Sequence, residues 1–186
     1  MRASDADSLH SKVAAVTLGF WVMKIAATTL GETAGDLLSM TLNLGYVASS
    51  AILLAIFAGL LGMQLSARRF HPVLFWSVVL ATSTAGTTMS DLIDRTLGLG
   101  YATGASLLAG CLALVLLAWR MSEKSISVSN IASRRAEGFY WTAVLFSNTL
   151  GTALGDFLAD DSGLGFTGGA LLIGCLLYTS PSPRDS

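Results

Sequence analysis

FWVMKIAATTLGETAGDLLSMTLNLGY (residues 20–46), FWSVVLATSTAGTTMSDLIDRTLGLGY (residues 75–101) and YWTAVLFSNTLGTALGDFLADDSGLGF (residues 140–166) align without a gap when Trp21, Trp76 and Trp141 are superposed. The shared pattern is an aromatic-Trp pair, Thr eight residues after the Trp (Thr29, Thr84, Thr149), Gly ten after (Gly31, Gly86, Gly151), Asp fifteen after (Asp36, Asp91, Asp156), and a closing Leu-Gly-Tyr/Phe. So many matches in register, three times over, mark a tandem repeat. The tryptophans are 55 and then 65 residues apart, and the extra ten residues fall in the polar stretch RMSEKSISVSNIASRRAEG. Insertions accumulate in loops, so this stretch separates units.

Working outward, residues 47–65 (VASSAILLAIFAGLLGMQL) and 101–119 (YATGASLLAGCLALVLLAW) carry no charge. A bilayer core of about 30 Å needs about 20 helical residues, and both runs meet that length. Alternating with them are spans from Val13 to about Leu38, Val73 to about Ile93 and Phe139 to about Leu158, apolar at first and then rich in Thr, Ser, Gly and acid. Each unit is therefore a polar helix, a short Gly-containing turn and a plain apolar helix. The expected fold is an all-α polytopic membrane protein, with about six transmembrane helices in three parallel two-helix repeats. Residues 1–12 form a tail, 13–66 the first repeat, 73–119 the second, 120–138 a basic loop and 139–176 the third.

Composition agrees with a lipid setting. Of 186 residues, 53% are hydrophobic and 12% charged, against roughly 25% charged in ordinary soluble domains. Net charge is −1 and no long basic or acidic run occurs, which sets nucleic-acid binding aside. Cys111 and Cys175 lack metal or redox spacing and read as small packing residues, while His10 and His71 sit in polar flanks and are assigned to no metal. Lys24 interrupts the first apolar core, and that segment repeats later, so it is not read as a cleaved signal.

Basic residues set the orientation. Arg2 and Lys12, then Arg68 and Arg69, then Arg120, Lys124, Arg134 and Arg135 all fall on one face. The opposite turns hold Arg95 together with Asp94, Asp160 and Asp161. The expected location is a bacterial cytoplasmic (inner) membrane, multi-pass, with a cytoplasmic amino terminus. Two spans per unit give every unit the same direction, so the repeats are parallel and not inverted.

The segments KIAATTLGETAGDLLS, TAGTTMSDLI and TLGTALGDFLADDSGLGF resemble a repeat of unknown function found in uncharacterised bacterial integral membrane proteins, often labelled membrane-anchored, that typically carry four copies. The resemblance covers about Phe20 to Gly169. Three copies, the last with an incomplete second helix, imply a truncated fragment of such a protein. Residues 177–186 close the stretch CLLYTSPSPRDS, which resembles translated sequencing-adapter read-through and is expected to be a non-native tail. The family brings no established activity, so function rests on the residues.

Helical positions four apart share a face. Thr28, Glu32 and Asp36 make one polar stripe, matched by Ser83, Thr87 and Asp91 and by Asn148, Thr152 and Asp156. Beside each stripe runs a small pair that lets backbones approach in lipid: Gly31 with Gly35, Gly86 with Ser90, Gly151 with Gly155. Stripe and ridge together predict that the three polar helices converge. Counting about 1.5 Å per residue from Pro72 puts Gly86 about 21 Å and Asp91 about 28 Å along, so the carboxylates sit near a mouth. A charge at the bilayer centre costs about 2.5–3.5 kcal/mol, so Glu32 and the deeper Lys24 need partners or water.

The candidate ion- or solute-binding set is Glu32, Asp36, Asp91, Asp156, Thr28, Thr29, Thr84, Thr87, Asn148, Thr149 and Lys24. Against it stands a packing role for Thr and Gly and a turn-capping role for the three aspartates. Lys24 and Glu32 break the repeat, since their equivalents are Val79 and Val144, and Thr87 and Thr152. Common architecture does not explain residues present in one unit only. The expected function is a small transporter or channel for a cation or small polar solute, with no cofactor. Its alternative is an assembly module, including a homo-oligomer, packed through Gly-rich helix faces. No nucleophile-base pair, HExxH or nucleotide loop points to an enzyme.

Overall fold

A computed structural model describes residue 14 and residues 17–67, 69–123 and 133–179. The tail at 1–12, loop residues 124–132, Arg68 and residues 180–186 lie outside the described residues.

Six helices follow in order: α1 (Leu18–Asp36), α2 (Gly45–Ser66), α3 (Pro72–Asp91), α4 (Tyr101–Glu123), α5 (Arg134–Asp156) and α6 (Gly165–Thr179). No strand occurs among the described residues. The fold is a helical membrane bundle. α2, α4 and α3 extended through Thr96 are each long and apolar enough to cross a bilayer. α1 and α5 match them in length, but their polar stripes dilute the apolar character. The thiols of Cys111 and Cys175 are free, the first half-buried and the second exposed.

Helix starts follow local chemistry. Thr17 caps α1 by accepting from the Phe20 amide at 3.2 Å, and Ser133 caps α5 by accepting from the Ala136 amide at 2.9 Å. Pro72 opens α3, where its missing N–H costs nothing. Each odd-numbered helix ends in the same unforeseen device. Directly after the shared aspartate the chain widens into a five-residue π turn, at Leu37–Thr41, Leu92–Thr96 and Phe157–Asp161. Bonds to Leu37, Leu92 and Phe157 carbonyls from the fifth residue on, each 2.9 Å, close these turns. A short link then needs left-handed backbone twice per unit: at Asn43, Gly98 and Gly163, and again at Gly45, Gly100 and Gly165. Glycine and asparagine tolerate that conformation best, which explains the Leu-Gly signature.

Equivalent residues meet across the odd helices. Ser83 Oγ donates to the Thr28 carbonyl at 3.2 Å, and the Thr87 and Thr152 hydroxyls lie 3.5 Å apart. The aromatic pairs interlock with an offset of one unit: Phe20 packs on Trp76 at 5.5 Å and Phe75 on Trp141 at 5.4 Å between ring centroids. Such matching of like with like requires parallel, in-register helices. α3 lies between α1 and α5 and packs along both.

The apolar helices pack out of phase with the repeat. α2 runs along α3 and not along α1, and α4 runs along α5 and not along α3. Helices of one unit meet chiefly at their π turn, and α6 packs on the third π turn. Leu53 and Phe57 of α2 accordingly join Phe75, Val78, Trp141 and Leu145 in the main buried cluster. At the basic end Gln64 of α2 donates to Glu137 of α5 at 3.1 Å, tying units one and three together.

Candidate functional site

The small pairs show how closely the odd helices approach. A Cβ on Gly31 would fall 2.6 Å from Ser83 Cβ and 3.0 Å from the Thr84 amide nitrogen. One on Gly86 would fall 3.0 Å from the Thr149 amide nitrogen, and one on Gly35 3.3 Å from the Thr84 carbonyl. Ser90 is fully buried, and its hydroxyl donates to the Asp94 carboxylate at 3.3 Å. The third pair behaves differently. A Cβ on Gly151 or Gly155 would meet nothing within 4 Å.

Gly151 and Gly155 instead help line a cavity of about 360 Å³. α1 contributes Glu32 and Asp36 to it, α3 contributes Thr87, Asp91 and Arg95, and α5 contributes Thr152 and Asp156. The Gly165–Ile173 face of α6 forms a further, apolar wall. One carboxylate from every repeat therefore reaches the same space, with Glu32 as a fourth. Asp91 is the most enclosed, 5% exposed.

Among the described residues a single cation sits with them. Arg95 Nε donates to Asp91 Oδ1 at 2.9 Å, and its Nη2 lies 3.9 Å from Asp156 Oδ2 on the neighbouring odd helix. Four carboxylates thus face one guanidinium. Arg95 stands where the other units have Met40 and Asp160. Sequence reading counted it only as a loop charge, although its place four residues after Asp91, on a shared helix face, was the available signal.

None of the three aspartates caps its turn, since Asp36, Asp91 and Asp156 make no capping side-chain hydrogen bond. The turn-capping alternative for them loses its basis. Among the described residues no group of three His, Cys, Asp or Glu side chains comes together as a metal site. The carboxylates are spread around a cavity of about 360 Å³, room for several waters, instead of converging on a point.

Other candidate residues lie elsewhere. Thr28, Thr84 and Thr149 donate their hydroxyls back to the carbonyls of Lys24, Leu80 and Leu145, four residues earlier. Thr29 is exposed and does not line the acid cavity. Lys24 and Asn148 are separated from the acids and line a second cavity, of about 400 Å³, toward the aromatic end of the helices. Lys24 thus belongs to a different space from Glu32, although the two were grouped by their shared departure from the repeat.

No curated protein and no solved structure matches the chain. The family model described as Repeat of Unknown Function (DUF347) matches three times, at residues 19–70, 74–125 and 139–180. With three copies covering most of its length, the chain belongs to the DUF347 repeat family of uncharacterised proteins.

Proposed function

We propose that the acid-lined cavity is the cation site of a small membrane transporter or channel in a bacterial cytoplasmic membrane, with the amino terminus and basic loops on the cytoplasmic side. The observation that carries this reading is the meeting of Glu32, Asp36, Asp91 and Asp156 in one cavity, opposed among the described residues by Arg95 alone. Ionisable groups are costly in lipid and commonly mark ion or proton paths when they face a shared interior. Spread carboxylates suit a cation that keeps part of its water shell, or a small organic ammonium, better than a dehydrated metal held by protein ligands alone. Threonine hydroxyls at Thr87 and Thr152 offer neutral acceptors one turn deeper.

The test is cation-driven flux in proteoliposomes made with the chain and with a Glu32→Gln/Asp91→Asn double variant. Flux should fall at least about tenfold in the variant, a loss of about 1.4 kcal/mol or more. Unchanged flux would remove the proposal.

A second reading draws on the open ridge at Gly151 and Gly155. Small residues four apart are a close-packing surface, so this face suits association with another copy of the chain. Under that reading Gly151→Leu abolishes association while the acid substitutions are mild.

A further inference from the structure

The second cavity differs in chemistry from the first. Phe20, Phe75, Trp119, Tyr140 and Trp141 wall it with rings. Its one charged group is the Lys24 ammonium, which donates to Asn148 Oδ1 at 3.4 Å. Asn148 Nδ2 donates to Thr82 Oγ1 at 3.0 Å, and that hydroxyl donates to the Val79 carbonyl at 2.7 Å. The chain of donors fixes the amide: its nitrogen is committed to Thr82 and its oxygen is left for the ammonium.

Two features show that the ammonium is placed and not simply escaping to water. Lys24 shares its register position with Val144, and Asn148 lies one turn further along α5. The side chain therefore reaches deeper into the bundle, whereas long basic side chains in lipid usually snorkel toward the nearer interface. Further, among the described residues no carboxylate lies within ion-pair distance of Lys24, and two of its three N–H donors have no protein acceptor. Even half-buried, a charge without a counter-ion is costly unless something supplies one.

We infer that this cavity binds an apolar carboxylate, an acyl-chain or aromatic acid whose anionic head takes the spare Lys24 donors while its body lies against the rings. One ammonium balances one negative charge, which favours a monoanion over the dianion of a phosphate monoester. Size agrees: an apolar cavity of about 150 Å³ accommodates benzene, so about 400 Å³ holds a two-ring acid or a single acyl chain but not a two-chain lipid. The site is independent of the acid-lined cavity and of its proposed function.

The experiment uses the full chain in lipid nanodiscs, with Trp119 and Trp141 as built-in energy donors. Probes are the fluorescent acyl acid cis-parinarate, its uncharged methyl ester, and the ring acid 1-naphthoate. Wild type should bind one of the acids saturably, and for parinarate at least about tenfold more tightly than its ester, as a charge-assisted hydrogen bond implies. Lys24→Gln should bring acid binding down to ester level, and Lys24→Arg should restore most of it. Whichever acid shows this Lys24 dependence identifies the source as acyl or aromatic. Ser147→Phe, at an exposed cavity-lining position, keeps the lysine but fills the space and should abolish binding of both. Saturable binding of neither acid, saturable parinarate binding no tighter than that of its ester, binding left undiminished by Lys24→Gln, or retained binding in Ser147→Phe would each overturn the assignment.

Discussion

α3 and α5 carry the same Thr-Gly-Asp motif, yet one copy is sealed and the other open. From Ala81 to Thr88 every residue of α3 is buried, because α1 lies on one side and α5 on the other. In α5 the corresponding stretch buries Thr149 and Ala153 but leaves Gly151 exposed on the cavity. One motif thus performs two tasks. Where an odd helix follows, the small residues become a seam; where none follows among the described residues, the adjoining acids become a cavity wall.

Substitutions can break this contrast in graded steps. The largest effect is expected at the first seam, where Gly31→Leu would drive a side chain into Ser83 and the Thr84 backbone. Overpacking of this kind costs about 3 kcal/mol or more when backbone must move, so folded yield and thermal stability in detergent should fall sharply. Next comes Gly98→Val, which puts a β-branched residue at φ 67°; about 1–2 kcal/mol of destabilisation is expected, read as a lower unfolding midpoint. Arg95→Gln leaves the seams alone and removes the cavity's cation. Added monovalent or organic cations should then bind about tenfold more tightly by calorimetry, since they no longer compete with a charge-assisted pair. Weaker binding would mean that Arg95 holds the carboxylates in place for the ligand. The smallest effect belongs to Gly151→Leu, with stability of the isolated chain within about 0.5 kcal/mol of wild type. A loss like that of Gly31→Leu would show that the α5 ridge is already packed.

Much of the fold could be read from residues alone. The Trp21, Trp76 and Trp141 alignment implies parallel units, and the meeting of Thr28 with Ser83 and of Thr87 with Thr152 has that geometry. Small pairs foretold close approach, which holds at Gly31, Gly35 and Gly86. The site was half legible. Carboxylate depth could be counted along a helix, and the same count sets Lys24 eight residues, about 12 Å, short of Glu32; which side chains then wall a shared cavity depends on how the helices pack, which one sequence does not display. The π turns escaped notice because a five-residue change of winding barely alters hydrophobic periodicity. Arg95 was hidden for a related reason. Its charge suggested a loop, whereas the π turn continues the helix and brings it back over Asp91.

The phase shift between repeat and packing bears on how the chain can be cut and made. Sequence self-similarity draws boundaries before α1, α3 and α5, but among helices consecutive in the chain the intimate pairs are α2 with α3 and α4 with α5. A hairpin excised along the repeat boundary would carry two helices that scarcely touch, while a cassette from Gly45 to Asp91 would carry two that do. During synthesis, each apolar helix must wait in lipid for the next polar helix to emerge before it finds its partner, so assembly proceeds in chain order like links being closed one behind another.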